Sequence, residues 1–444
     1  MQRRGRDLRC SLKLVERPSG MHQLLGPFIA PFLRIEYYLG AWLEFFRLSL
    51  KGQTWRRRLY SKAGVWPEPP EQLSRLAIFA AFHGPQVTLS NLAYVRCLKA
   101  AGFQVVYVHN GHLSPNSVAQ LQPFCVTVLE RINLGQDWGS FKDAYLNLRR
   151  FGWLKNLEWL LFCNDSVHFL GDQAGERFAR ELDQQLSTIE EPVLGLNENL
   201  QLWQHLQSFF VAVRSEVFNA PDFVHFWKSY FPLSHRYHAI NKGEVRWSLR
   251  VLNRYPRKVL YTPGALADYA SKAFEDEEFL GISRLLIPKC CASVVDGLRS
   301  HLAEEISADE DRKRLPRSGG RFTTSYVYWD QLVALGGILE STNTSHSCAL
   351  MFTALLGSPF LKKDICRHNT YTLAQLRQFL EYFFTIQTER TEQSDLLWKE
   401  IISSYESQGT LISYLFRPRI AFRKGLMYRG FGISQESLPN YGNR

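Results

Sequence analysis

The sequence predicts an α/β protein: a Rossmann-like, mostly parallel sheet with flanking helices, followed by a mainly helical C-terminal region. Three observations carry that prediction. Short, mostly apolar runs recur at Leu76–Phe82, Gln104–Val108, Val126–Glu130 and Trp159–Cys163, each long enough for one strand. Segments with helix start and stop signals separate them, and apolar strands alternating with helices imply a parallel sheet covered on both faces. Each run also opens at its carboxyl end into hydrogen-bonding or charged residues.

The elements follow in order. After the first strand, Ser90 is expected to cap a helix that runs to Ala101 and stops at Gly102. The second strand leads to Ser114-Pro115, which opens a short helix because proline has no N–H to lose at the first helical position. The third strand leads to a helix over Phe141–Arg150, capped by Asp137 or Ser140 and stopped by Gly152. A further strand spans Phe209–Arg214, and a helix starts at Gly243 with Glu244 in its first turn. Beyond about Pro288 the pattern turns helical, with helices over Leu373–Tyr382 and Asp395–Ser404, a charged loop over Ala308–Arg317 and a basic end over Arg417–Arg429. The expected domains are a basic amphipathic arm with a proline-rich linker (1–70), an α/β domain (71–290) and a helical region (291–444). The linker reading rests on Pro67, Pro69 and Pro70, which cannot continue a helix.

Composition narrows the function classes. The chain has 444 residues, 45% of them hydrophobic and 21% charged, which is a globular and not a disordered balance. Its 8 cysteines include no CxxC pair, as expected of reduced thiols in a cytoplasmic protein. The net charge of +11 suits a polyanionic partner such as a nucleotide, a nucleic acid or an acidic lipid surface. No aromatic RNA-binding motif or zinc finger supports a nucleic-acid binder. Neither GxGxxG nor a Walker sequence follows a strand, which excludes the usual dinucleotide and P-loop sites. The apolar stretch Leu24–Leu33 is broken by Pro27 and Pro31, and Arg34 and Glu36 follow, so no membrane span is expected. The arm from Leu24 to Arg58 is aromatic, leucine-rich and closed by Arg56-Arg57-Arg58. It suits either packing on the protein body or peripheral contact with the inner face of the cell membrane.

The polar row at the strand ends is the candidate site, because open parallel sheets bind ligands outside their carboxyl edges. It comprises His83, then His109-Asn110, then Arg131 and Asn133, then Asn164-Asp165-Ser166. Two motifs stand out. In Arg131-Ile132-Asn133-Leu134-Gly135-Gln136-Asp137-Trp138-Gly139-Ser140 the glycines permit a tight turn and a close approach to a ligand. Arg131 can pair with a phosphate or a nearby carboxylate, while Asn133 and Asp137 can hold hydroxyls or a base edge. In Asn164-Asp165-Ser166 a carboxylate at a strand end can hold a divalent cation against a diphosphate, or simply form an Asx-turn.

At these residues the chain resembles the rhamnan synthesis protein F family of bacterial polysaccharide glycosyltransferases. The landmarks are the Arg131–Ser140 motif, Asn164-Asp165-Ser166, His205–Phe210, Phe226-Trp227 and Ile240 followed by Glu244. Further on come Asn343–His346, Gly357–Lys362 and Arg367-His368-Asn369. The family continues its Asn-Asp-Ser motif with an aromatic residue and Gly-Pro, where this chain has Val167-His168-Phe169-Leu170.

The resemblance implies a GT-A-like transferase moving a sugar, rhamnose or a related hexose, from a nucleotide-sugar donor to a glycan or lipid-linked glycan acceptor. Asn164-Asp165-Ser166 then stands in place of a DxD motif, with Asp165 as the ligand of Mg²⁺ or Mn²⁺. Donor-binding residues are His83, Asn110, Arg131, Asn133, Asp137, Asn164 and Ser166. Acceptor-binding residues are His205, Gln207, Ser208 and Trp227, and Glu244 is the catalytic base of an inverting displacement, with Asp165 as its catalytic partner. The competing reading is a transferase-like scaffold without activity.

Overall fold

The computed structural model describes residues 60–61, 66, 68–199, 204–234, 238–266, 285–286, 343–363, 365, 370–386 and 392–406, with positions 35, 38, 39, 42, 43 and 46 of the arm. Most of the arm, Trp203, the 308–317 segment, Arg367-His368-Asn369 and the basic end lie outside the described residues.

Nine strands make one sheet. They are β1 (Tyr60–Ser61), β2 (Arg75–Ala81), β3 (Gln104–Asn110), β4 (Cys125–Arg131), β5 (Trp159–Asn164), β7 (Val193–Asn199), β8 (His205–Leu206), β9 (Phe210–Arg214) and β10 (Arg257–Tyr261). Their order is β1-β4-β3-β2-β5-β9-β7-β10, with β8 added to β7. The stretch β4-β3-β2-β5 is parallel throughout, as expected of apolar strands joined by helices. Beyond β5 the sheet is mixed: β9 runs antiparallel to both β5 and β7, and β10 returns parallel to β7. Two remaining strands, β6 (Val167–Phe169) and β11 (Phe360–Lys362), form a separate antiparallel ribbon.

Alternation along β2 divides the core. Ala77, Phe79 and Ala81 face one layer, while Leu76, Ile78 and Ala80 face the other. The first layer holds helices α1 (Leu89–Ala100) and α4 (Asp172–Thr188), together with α7 (Ala349–Leu356), α8 (Leu373–Ile386) and α9 (Glu392–Glu406). The second holds α3 (Gln136–Arg150) and α5 (Pro221–Ser229), and there Trp138 at 5.6 Å and Phe162 of β5 at 5.3 Å stack on Trp227 while Trp247 meets it edge-on at 5.6 Å. The short helix α2 (Pro115–Leu121) starts as its sequence predicts, with the Ser114 hydroxyl accepting the Ser117 N–H at 3.1 Å.

Two expected caps differ. The cap of α1 is Thr88, whose hydroxyl takes the Asn91 N–H at 3.1 Å. Ser90 instead lies inside the helix, where its hydroxyl accepts the Phe169 N–H at 2.6 Å and fastens α1 to β6. Helix α3 begins a turn earlier than expected, after Gly135 at φ 77°, so Asp137 and Ser140 are helical residues and not its cap. A left-handed residue at that junction favours glycine, and a Cβ there would meet Pro232 at 2.4 Å.

The helical C-terminal segment closes on the sheet domain. Glu400 of α9 accepts the Ser90 N–H at 3.1 Å and stands 3.6 Å from His168 of β6. The described cysteines 97, 125, 163 and 348 are free thiols, each with its pKa pushed up by burial.

Candidate functional site

The chain reverses direction across the sheet between β2 and β5. From β2 it winds outward through β3 and β4, then returns to the other side of β2. Such a switch point splays the connecting loops apart and leaves a crevice at the carboxyl edge. Two hydrogen bonds lock this crevice. The Asp165 N–H donates to the Ala80 carbonyl at 3.1 Å, and the Asp165 carboxylate accepts the Phe82 N–H at 3.0 Å. Asp165 is therefore held at the switch point by backbone on both sides.

Its neighbours are equally fixed. The Asn164 carboxamide oxygen accepts the Ser166 N–H at 3.1 Å and the Ser166 hydroxyl at 2.6 Å, which is the Asx-turn expected of this triplet. The Asn164 amide donates to the Asp137 carboxylate at 3.1 Å and so joins the two sequence motifs. Burial, the Asp165 charge and Glu244 push Asp137 up to about 7, against the downward pull of Lys362 and Lys363.

Both lysines come from the end of β11. Lys362 donates to the Ser166 hydroxyl at 2.7 Å and lies 4.6 Å over the Phe209 ring. The Lys363 ammonium stands 4.0 Å from the Asp165 carboxylate, and its backbone N–H donates to the Ser166 carbonyl at 3.0 Å. The segment Val167-His168-Phe169, where a tight Gly-Pro turn would stand in the family, is extended here and pairs with β11. That pairing carries the lysines to the motif.

Opposite them lies Glu244, in a π-helical turn over Ala239–Val245 and not at a helix start as expected. A π-turn inserts an extra residue and re-aims side chains, a feature common at functional sites. Gly243 permits the turn to press on Trp138, since a Cβ there would meet the indole at 2.5 Å. One Glu244 oxygen lies 3.3 Å from His205 Nε2, and the other accepts the Ser208 N–H at 2.8 Å. Burial pushes the Glu244 carboxyl up, but His205, the Ser208 N–H and the Lys362 charge outweigh it and hold the pKa at about 2. Ser345 donates to the Gln207 carboxamide oxygen at 3.4 Å, so the Asn343–His346 landmark meets the His205–Ser208 landmark in space.

The other residues of the row divide into two kinds. Some leave polar atoms with no protein partner among the described residues: Asn110 Nδ2, Asn133 Oδ1 and His109 Nδ1 are buried orphans at the ends of β3 and β4. The His83 ring lies 4.4 Å from that of His109, tilted by 47°, and its Nε2 takes the Tyr107 hydroxyl at 2.8 Å. Burial holds both imidazoles neutral, with His109 lowered to about 4 and His83 lowered against the opposing pull of Asp165.

Others face inward. The Arg131 guanidinium is sealed in the interior, 2.9 Å from the Asp143 carboxylate and 2.8 Å from the Leu134 carbonyl, and it also bonds Asn110. Of the two roles read from the sequence, pairing with a carboxylate is the one this geometry supports; Arg131 braces the 131–137 loop from beneath. Gly139 serves the same brace, because a Cβ would meet the Leu134 carbonyl at 2.0 Å and the Arg131 guanidinium at 3.0 Å. Protein atoms, and not a ligand, make its close approach. Trp227 is completely buried in the aromatic layer, which corrects its expected place against an acceptor sugar. Trp247 is buried there as well.

A divalent cation fits this donor set poorly. Among the described residues no three His, Cys, Asp or Glu side chains converge as metal ligands. One Asp165 oxygen, Oδ2, already accepts a backbone N–H and stands beside an ammonium group. The Asn164 oxygen is committed to Ser166. Mg²⁺ needs only one or two protein carboxylates when phosphate and water supply the rest, but the carboxylate of this motif stands beside an ammonium group whose positive charge opposes a cation.

Residues 105–257 match the profile of the family described as rhamnan synthesis protein F, the family that the motifs resemble. The matched segment contains Asn110, the Arg131–Ser140 motif, Asn164-Asp165-Ser166, His205–Phe210 and Glu244. No curated protein matches the chain. Among solved structures, the glycosyltransferase GlyE of Streptococcus pneumoniae TIGR4 is similar at 8% identity and a TM-score of 0.28. The likeness covers 47% of this chain and 52% of that one, about half of its length, and at that score it says nothing of function.

Proposed function

We propose that the chain is a glycosyltransferase of polysaccharide synthesis that binds a nucleotide-sugar donor at the switch point and transfers the sugar to a glycan acceptor. One observation carries the reading. Asn164-Asp165-Ser166 and Asp137, remote in sequence, are hydrogen-bonded together at the carboxyl edge of the sheet, inside the segment that matches the rhamnan synthesis profile. Rhamnose or a related hexose is the donor sugar that the family description favours.

For the transfer, the acceptor hydroxyl attacks the anomeric carbon opposite the departing diphosphate and inverts its configuration. In this reading Glu244, whose pKa is lowered to about 2 and which is therefore ionised near neutrality, takes the hydroxyl proton. Its low proton affinity makes it a weak base near neutrality, so proton transfer must accompany bond formation. His205 and Ser208 hold it in place, and Gln207 lines the same acceptor side.

We further propose that the enzyme works in the cytoplasm with its arm on the inner membrane face. Ile35, Leu39, Trp42, Leu43 and Phe46 are exposed and spaced to fall on one helical face, followed by Arg56-Arg57-Arg58. No described helix is long and apolar enough to cross a membrane.

Calorimetry with a series of nucleotide sugars, followed by transfer assays on glycan acceptors, tests the reading. Binding of one nucleotide sugar with sugar transfer is the expected result. Binding without transfer would favour the scaffold, and no binding to any nucleotide would remove the proposal.

A further inference from the structure

We infer that Lys362 and Lys363 supply the positive charge that receives the donor diphosphate, in the place where a divalent cation was expected. The inference rests on the transferase reading above and concerns how that same site binds its donor.

The chemical demand is definite. As the anomeric C–O bond breaks, its electron pair stays on the phosphate oxygen, and the leaving nucleoside diphosphate gains negative charge. The acceptor oxygen forms the new bond to carbon, and its proton passes to the Glu244 carboxylate. Stabilising the departing charge requires preorganised cations or hydrogen-bond donors at the leaving oxygens. The crevice itself carries the wrong sign, because Asp165 accepts the Phe82 N–H there and both it and Glu244 act on Asp137, which is hydrogen-bonded to Asn164. An anionic donor would not settle beside them without compensating positive charge.

Two ammonium groups reach this place, and the fold is arranged to bring them. Lys362 is fixed by the Ser166 hydroxyl at 2.7 Å and by the Phe209 ring at 4.6 Å. Lys363 stands 4.0 Å from Asp165, too far for a hydrogen bond and near enough to share its field. Their strand is held by the β6–β11 register, in which Lys362 lies opposite Val167, and by the Lys363 N–H to the Ser166 carbonyl at 3.0 Å. Those contacts place both lysines next to the motif where a metal would be sought. A lysine ammonium has three rotatable donors, and a flexible stem lets it turn from a serine hydroxyl to a phosphate oxygen. Asp165 then has a different task from metal binding. It accepts the Phe82 N–H, holds Lys363 in place and offsets its charge while no donor is bound.

The test uses the whole protein in buffer with excess chelator, with inorganic pyrophosphate and the nucleoside diphosphates UDP and dTDP as calorimetric probes. Wild type is expected to bind pyrophosphate and at least one nucleoside diphosphate without metal, with little change when Mn²⁺ is restored. Lys362→Gln and Lys363→Gln should each weaken diphosphate binding roughly tenfold, the double variant roughly a hundredfold, and Lys363→Arg only slightly, since each charged hydrogen bond carries about that effect. The corresponding nucleoside without phosphate should bind all variants alike, which separates lost charge from lost fold. Wild-type binding that depends on Mn²⁺, or lysine variants that bind diphosphate normally, would overturn the lysine assignment and leave the transferase reading standing. Failure of wild type to bind any nucleotide, with or without metal, would overturn both.

Discussion

The Glu244 carboxylate and the His205 imidazole face each other at 3.3 Å, with His205 fully buried and Glu244 reaching it from the π-turn. The pair ties the 205–208 segment to the π-turn, and it favours the ionised form of Glu244. If Glu244 is the base, Glu244→Gln should lower turnover by roughly 10²–10⁴-fold while leaving nucleotide affinity within a few-fold. Turnover close to wild type would reassign Glu244 to holding His205 and Ser208. A product that retains the donor's anomeric configuration would rule out a single displacement.

Glu244 and Asp137 predict opposite pH dependences. The Glu244 pKa falls from its ordinary 4.5 to about 2, so its contribution to stability is full above 4.5 and fades as pH drops toward 2. The Asp137 pKa rises from 3.8 to about 7, so the folded state binds its proton more tightly than the unfolded chain does. Stability from Asp137 is therefore greatest below 3.8 and declines as pH rises to about 7. Urea midpoints of Asp137→Asn, measured from pH 4 to 8, should lose that decline relative to wild type. A difference between variant and wild type that stays constant over this range would contradict the assigned environment.

Arg131 and Asp143 form a buried ion pair beneath the 131–137 loop. Removing one partner strands the other charge, so Arg131→Met should destabilise the fold by about 3–5 kcal/mol. Arg131→Met with Asp143→Leu should recover much of that loss, because the stranded charge is gone. Gly139→Ala forces a methyl onto the Leu134 carbonyl and should cost about 3 kcal/mol. Denaturant titration of the four proteins measures each effect; an unaltered Gly139→Ala midpoint would mean that the loop yields freely.

Local signals explain what the sequence made legible. Strands β2 to β5 follow from apolar runs whose predicted limits fall within two residues of those observed, and polar residues stand at their ends, although Arg131 turns inward to Asp143. The Thr88 cap was missed because Ser90 offers the same chemistry two residues on. The inward turn of Arg131 was hidden because its partner Asp143 lies twelve positions later, with nothing to mark the pairing. Burial decided the fate of Trp227, and a lone tryptophan does not announce whether it stacks on a ligand or on other rings. Lys362 and Lys363 carried no assigned chemistry, since they reach Ser166 and Asp165 only through a ribbon whose strands lie nearly half the chain apart. Pairings of that range leave no periodic trace.

The arm offers the remaining prediction. Ile35, Leu39 and Leu43 recur four residues apart and are exposed, an arrangement that costs free energy in water unless another surface covers it. The arginines that follow favour an anionic surface, each near-surface charge adding about 1 kcal/mol to membrane association. Full-length protein should float with vesicles containing anionic lipid and stay in solution with neutral ones. Replacing Leu39 and Trp42 by glutamate should abolish flotation, because it removes apolar area and adds repulsion. Replacing Arg56, Arg57 and Arg58 by glutamine should weaken it and make the remainder insensitive to salt. Equal flotation of a protein lacking the residues before Pro67 would place any membrane contact elsewhere on the molecule, and the exposed face would then belong to a protein partner.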